Sequence, residues 1–168
     1  MALLSAGWLA GFGVAQAAGP TAVIPALRLQ LPESRVGWTF GDVGGPLRAA
    51  NADGQPVVLM AVAPGCSACQ ALLANAARCP AFNALAGHAH FAMVDARSAD
   101  AVVRSLNVGP YPAVLVLGVR GGGFSERARG VGYMDEDALM TVLARGGLWS
   151  RSPVRAAGAA STLGTYAP

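Results

Sequence analysis

The chain has 168 residues, 54% of them hydrophobic and 12% charged, with a net charge of +3. A chain this apolar does not remain disordered, and its length is that of one domain with enough core to fold without staples. Every basic residue is Arg, and the arginines (Arg28, Arg48, Arg78, Arg104 and Arg129 among them) are scattered along the chain, which argues against nucleic acid as a partner, since such a surface needs clustered basic residues.

Residues 1–17 read as a secretory signal peptide: an apolar stretch runs to Val14, and Ala15-Gln16-Ala17 is a small-x-small cleavage pattern. No Arg or Lys precedes that stretch, so only the amino terminus supplies positive charge. The alternative is an uncleaved anchor, but a spanning helix needs about 20 mainly apolar residues, and Gly7, Gly11 and Gly13 interrupt this run. The expected location is therefore the periplasm or the exterior, with membrane anchoring by the N-terminus as the variant.

Residues 18–35 carry Pro20, Pro25 and Pro32 and read as a linker or arm with a short strand at Leu27–Leu31. Val36 to Gly45 alternates apolar and polar residues before a Gly-rich turn, which predicts an N-terminal β-hairpin arm. Asn51 to Gly54 reads as a turn. Val57–Ala63 is continuously apolar at strand length, as in a central strand buried on both faces. Pro64-Gly65 ends it, and Cys66 to Arg78 favours helix until Pro80. A strand at Phe91–Asp95, a helix at Ala99–Leu106 and a strand at Ala113–Leu117 follow. A Gly121–Gly123 turn leads to a more polar strand at Phe124–Gly130, placed at a sheet edge. Asp135, Glu136 and Asp137 open a last helix at its positive end, and Gly146-Gly147 closes it. Residues 149–168 lack periodicity and read as a flexible tail. The order β-α-β-α-β-β-α predicts an α/β fold: a mixed central sheet covered by helices on both faces.

Cys66 and Cys69 flank Ser67-Ala68 where the strand gives way to the helix. A helix N-terminus favours negative charge through its unpaired N–H groups and dipole. A cysteine there has a lowered thiol pKa and is activated as a thiolate. Cys69, one turn on, is within disulfide reach and can resolve a mixed disulfide made by Cys66. Cys66 is expected to be exposed and Cys69 more buried. The same spacing also serves half of a zinc site. Its other half would have to come from Cys79, His88 and His90, and Cys79 lies about 15 Å beyond Cys69 along the helix. A structural disulfide is the remaining alternative.

From Gln55 to Leu148 the chain resembles the thioredoxin superfamily. The matching features are Val57–Ala63, the Cys66–Cys69 motif opening a helix, the strand ending in Asp95, Val108-Gly-Pro-Tyr-Pro-Ala113, and Gly130-Val-Gly132 before the last helix. The resemblance implies a thioredoxin fold, with Pro112 as the family's cis-proline. It also implies that Tyr111 contacts the active cysteines and a bound peptide, which its backbone can pair with as an added strand. From the residues alone, Pro110 and Pro112 also fit an ordinary turn before a strand. The segment Gly37-Trp-Thr-Phe-Gly-Asp to Leu47 resembles the N-terminal hairpin of exported, cytochrome-c-maturation-type thioredoxin-like proteins. On that basis residues 36–148 form the thioredoxin-like domain.

The chain departs from that pattern at several points. Gly65 stands where thioredoxins have Trp, and Ser67-Ala68 replaces Gly-Pro. Met60 holds the place of a buried acid, and the strong oxidants' His is missing between the cysteines. Without a buried acid, proton transfer at the second thiol is weakened. Elsewhere, Cys79 reads as a small apolar residue ending the helix, with pairing to another chain as the alternative, and His88 and His90 as a surface pair. Asp95 reads as a turn or cap residue, and Trp38 and Phe40 as hairpin packing.

These readings converge on a monomeric, exported thiol–disulfide oxidoreductase acting on protein thiols and disulfides, with Cys66 attacking, Cys69 resolving, and Tyr111 and Pro112 shaping the groove. It requires no cofactor and no metal. As a reductase it would need a membrane electron-transfer partner, because the compartment is oxidising. The rivals are a disulfide isomerase associated with conjugative transfer and a non-catalytic thioredoxin-fold binding module of an envelope complex.

Overall fold

A computed structural model of the protein describes residues 22–24, 27–98 and 100–149. The expected signal peptide (1–17) and the tail beyond Trp149 lie outside these. Strands β1 (Ala22–Ile24) and β2 (Leu29–Leu31) pair antiparallel as a small separate hairpin. Then come β3 (Trp38–Phe40), α1 (Gly44–Asp53), β4 (Val57–Val62), α2 (Ser67–Arg78) and α3 (Pro80–Asn83). They are followed by β5 (His90–Asp95), α4 (Ala101–Ser105), β6 (Ala113–Arg120), β7 (Gly123–Val131) and α5 (Glu136–Arg145).

Five strands form one sheet in the order β3-β5-β4-β6-β7. The β3-β5-β4 side is parallel, and β6 and β7 are antiparallel to their neighbours. This is the expected mixed sheet. All six residues of β4 are buried. Val58, Met60 and Val62 join the core under α2, α3 and α5, whereas Val57, Leu59 and Ala61 join the core under α1 and α4. The uninterrupted apolar run is thus two alternating faces, each covered by helices. β7 lies at the sheet edge and is largely exposed, with charged side chains that discourage pairing with another chain.

The hairpin expected at Val36–Gly45 is not there. Trp38–Phe40 is instead an edge strand parallel to β5, and Gly44–Asp53 is a helix that also replaces the turn expected at Asn51–Gly54. Gly44, Gly45 and Pro46 suggested a turn, but Pro is compatible with a first helical turn. The Asp42 carboxylate accepts the Gly45 N–H there, and Gly54, at φ 77°, closes the helix through its N–H to the Ala50 carbonyl. Val43, Leu47 and Ala50 recur at helical spacing and face the sheet. The N-terminal hairpin that does exist, β1–β2, lies upstream in the segment read as linker or arm.

Local signals explain the other helices. Asp100 caps α4 by accepting the Val102 and Val103 N–H groups, and Asp135 caps α5 through Ala138. Pro80 stops α2 and opens the single turn α3, which carries Phe82 into the core. Trp38 packs with Phe82 and Phe91, at ring-centroid distances of 5.5 to 6.3 Å. Trp38 therefore belongs to this cluster and not to a hairpin, while Phe40 is exposed. No helix among the described residues is long and apolar enough to cross a membrane. Because Phe82 is fully buried at the centre of this cluster, Phe82→Ala is expected to cost about 3–5 kcal/mol, measured by urea unfolding.

Candidate active site

β4 delivers the chain to the C-terminal end of the parallel strands. There Ala63, Pro64 and Gly65 turn it into α2. Gly65 has φ 70°, a conformation that L side chains adopt at a cost of about 1–2 kcal/mol. The turn is tied by the Cys66 N–H to the Ala63 carbonyl (3.3 Å). Cys66 is then the N-cap residue of α2, and its Sγ accepts the Cys69 N–H at 3.0 Å. The sulfur takes the place that a Ser or Asp oxygen takes at other helix starts. Cys66 and Cys69 form a disulfide with a Cα–Cα distance of 5.2 Å.

Cys66 is half-buried and Cys69 fully buried, in the expected rank. No acidic residue lies in the first turn of α2, so the helix dipole acts there without a competing carboxylate. Met60 is fully buried in the same core as Cys69. No polar or charged side chain among the described residues is buried, so none stands in the core beside Cys69 as a proton acceptor.

The sheet register brings the second predicted element to this end. Ala113 pairs with Ala61, which puts Tyr111–Pro112 beside the end of β4. The Tyr111–Pro112 peptide is cis, as is Gly109–Pro110. Pro112 is buried, its carbonyl accepts the Gly132 N–H (2.7 Å), and Tyr111 is exposed. Arg129 holds the preceding loop by donating to the Leu106 and Asn107 carbonyls at 2.6 and 2.9 Å. Asp95 pairs with Val62 across the sheet. Its carboxylate accepts the Arg97 N–H and two guanidinium N–H groups, which hold it below the usual carboxylate range. This is the turn role expected of Asp95.

Two residues and one contact around this end were not singled out by the sequence. Tyr133 stands exposed after β7, and its hydroxyl accepts Asn75 Nδ2 of α2 at 3.1 Å. Gln70, next to Cys69, exchanges two hydrogen bonds with the Gln30 backbone in the arm. Gly65 donates its N–H to the Leu27 carbonyl of the same arm (3.3 Å). Tyr133 follows Gly130-Val-Gly132, the one sequence signal that pointed near it; nothing in the sequence points to the other two contacts.

The residues weighed for zinc are dispersed. Cys79 is free and buried where α2 meets α3, and its Sγ accepts the Phe82 N–H. Burial pushes its thiol up, as for a cysteine in apolar surroundings. It is the helix-ending apolar residue expected. His90 pairs with Val57, at the opposite end of β4 from Cys66, and its Nε2 lies 2.9 Å from Asp53 Oδ2. The left-handed turn at Gly65 gives a direct prediction. Gly65→Ala is expected to lower stability by about 1 kcal/mol, and Gly37→Ala, in open space without positive φ, to have little effect, both read by thermal unfolding.

No protein-family model matches the chain, and no curated protein does. Solved structures do. A thioredoxin from Thermus thermophilus superposes with a TM-score of 0.57 at 19% identity, over 66% of this chain and 86% of that one. A Trichomonas vaginalis thioredoxin does so with a TM-score of 0.50 at 17% identity, over 68% and 96% of the two chains. With its strand order and helix placement, the chain has the thioredoxin fold, and it carries a dithiol/disulfide pair at the head of α2.

Proposed function

We propose that the protein is an exported thiol–disulfide oxidoreductase acting on protein cysteines. The observation that carries this reading is the Cys66 sulfur at the N-cap of α2, half-exposed, in a disulfide with the buried Cys69 one turn away. In the reducing direction, the Cys66 thiolate attacks one sulfur of a substrate disulfide. A mixed disulfide forms and the other substrate sulfur leaves as a thiolate. Cys69 loses its proton to water and attacks the Cys66 sulfur. The Cys66–Cys69 disulfide forms and the second substrate thiolate is released, so two electrons pass to the substrate. The oxidising direction is the reverse.

Tyr111 and Pro112 serve as the substrate groove, the peptide backbone at Tyr111 pairing with an extended segment around the substrate cysteine. Residues 1–17 export the chain to the periplasm or beyond, residues 18–35 link and carry the arm, residues 36–148 form the working domain, and residues 149–168 form the tail. The protein acts as a monomer, and a membrane electron-transfer partner keeps it reduced if it works as a reductase. Kinship with the cytochrome-c-maturation type rests on sequence resemblance.

A second reading has specific support. Met60 in place of an acid leaves Cys69 without a buried proton acceptor, which favours a binding module that uses the Tyr111–Pro112 groove without turnover. Trapping separates the two. Cys69→Ser is expected to accumulate covalent, reductant-sensitive complexes with substrate proteins through Cys66, visible on non-reducing gels, and Cys66→Ser none. A binding module would show no complexes with either variant, and Cys66→Ser would keep full biological function.

A further inference from the structure

The β1–β2 arm straps the redox helix. At one end the Asn83 side-chain oxygen on α3 accepts the Ser34 hydroxyl (2.8 Å) and the Arg35 N–H (2.9 Å). Leu27, Leu29 and Leu31 are buried in the same core as Cys69, Leu72 and Leu73. At the other end the arm holds the Cys motif on both sides. The Leu27 carbonyl takes the N–H of Gly65, the residue before Cys66. The Gln70 side chain, on the residue after Cys69, accepts the Gln30 N–H at 2.8 Å and donates to the Gln30 carbonyl at 2.7 Å. A side-chain amide thus stands in for a neighbouring strand along the free edge of β2.

We propose that Gln70 is a positioning residue: by clasping the arm to α2 it keeps the Leu27 carbonyl on Gly65, and so keeps the Cys66 sulfur seated over the Cys69 N–H. This rests on the reading of Cys66 as the attacking thiol. Without the clasp, the buried Leu27 and Leu29 still anchor the arm, but its hydrogen bonding to the motif is reduced to the single 3.3 Å bond at Gly65. The left-handed turn is then less tightly held, and in the reduced protein a sulfur that leaves the cap loses the hydrogen bond that would favour its thiolate. The charged and titratable side chains on the elements around this end include Arg28 of the arm, Asp42 before α1, the Asp95–Arg97 pair, Asp100 at the head of α4, Tyr111 and Tyr133. None of them hydrogen-bonds to Cys66 among the described residues, and replacing a neutral amide leaves their charges unchanged.

The test is the pH profile of Cys66 alkylation by iodoacetamide in the reduced full-length protein, followed by peptide mass. Gln70→Met keeps the length of the side chain and removes both hydrogen bonds. Gln30→Ala keeps both, because Gln30 contributes only its backbone. The wild type is expected to titrate below the ordinary thiol value of about 8.5. Gln70→Met is expected to move the midpoint up by roughly 0.7 unit, giving about fivefold slower alkylation at pH 6 with an undiminished plateau. Gln30→Ala is expected to follow the wild type. A depressed wild-type midpoint that Gln70→Met does not move would overturn the positioning role alone. Equal shifts in both variants would overturn it in favour of general loosening of the arm. A wild-type midpoint at the ordinary value would overturn the activated-thiol reading itself. A loss of melting temperature in Gln70→Met without a midpoint shift would mark the clasp as structural only.

Discussion

The site depends on one hydrogen bond, from the Cys69 N–H to the Cys66 sulfur at the start of α2. That bond makes the first cysteine a helix cap, and the rest of the molecule is arranged so that it can form. The central strand stops at Val62, a left-handed glycine reverses the chain, and the helix begins with a sulfur where an oxygen would otherwise sit. A thiolate there meets a helix dipole with no carboxylate in the first turn. One turn along, Cys69 is enclosed by the apolar core, so the two sulfurs are chemically unequal despite their proximity.

The surrounding elements hold this junction from three directions. The register of β6 against β4 brings Tyr111–Pro112 alongside, and Arg129 fixes the loop that leads to it. Asp95 and Arg97 close the turn after β5. The arm reaches over from the N-terminal side through Leu27 and Gln30. The departures from the thioredoxin pattern make sense in this setting. At φ 70° the position before Cys66 favours glycine over a bulky side chain. That glycine's N–H is bonded to the arm. Met60 and its neighbours make the core around Cys69 apolar, with no acid there to take the second thiol's proton.

The cysteine pair at the head of α2 and most of the sheet were legible in the sequence because their signals are local. An unbroken apolar run, a Pro-Gly stop and two cysteines three residues apart specify β4, the turn and the head of α2. The acids Asp135 to Asp137 mark the start of α5. The misreading at residues 36–54 arose where local signals conflict: Gly44-Gly45-Pro46 resembles a turn, while Val43, Leu47 and Ala50 carry the helical period and tertiary burial decides between them. The arm's role was invisible for a different reason. The Gln30–Gln70 contact spans forty residues, and a glutamine side chain bonding to backbone leaves no pattern in a single sequence.

The central claim, that Cys66 and Cys69 form a working two-electron couple, is tested most directly by equilibrating the protein against a glutathione redox series and counting free thiols by mass. The account predicts one cooperative transition, with both cysteines changing state together at a potential between about −270 and −120 mV. A pair that stays wholly reduced or wholly oxidised across the series would contradict it and leave the fold as a binding scaffold.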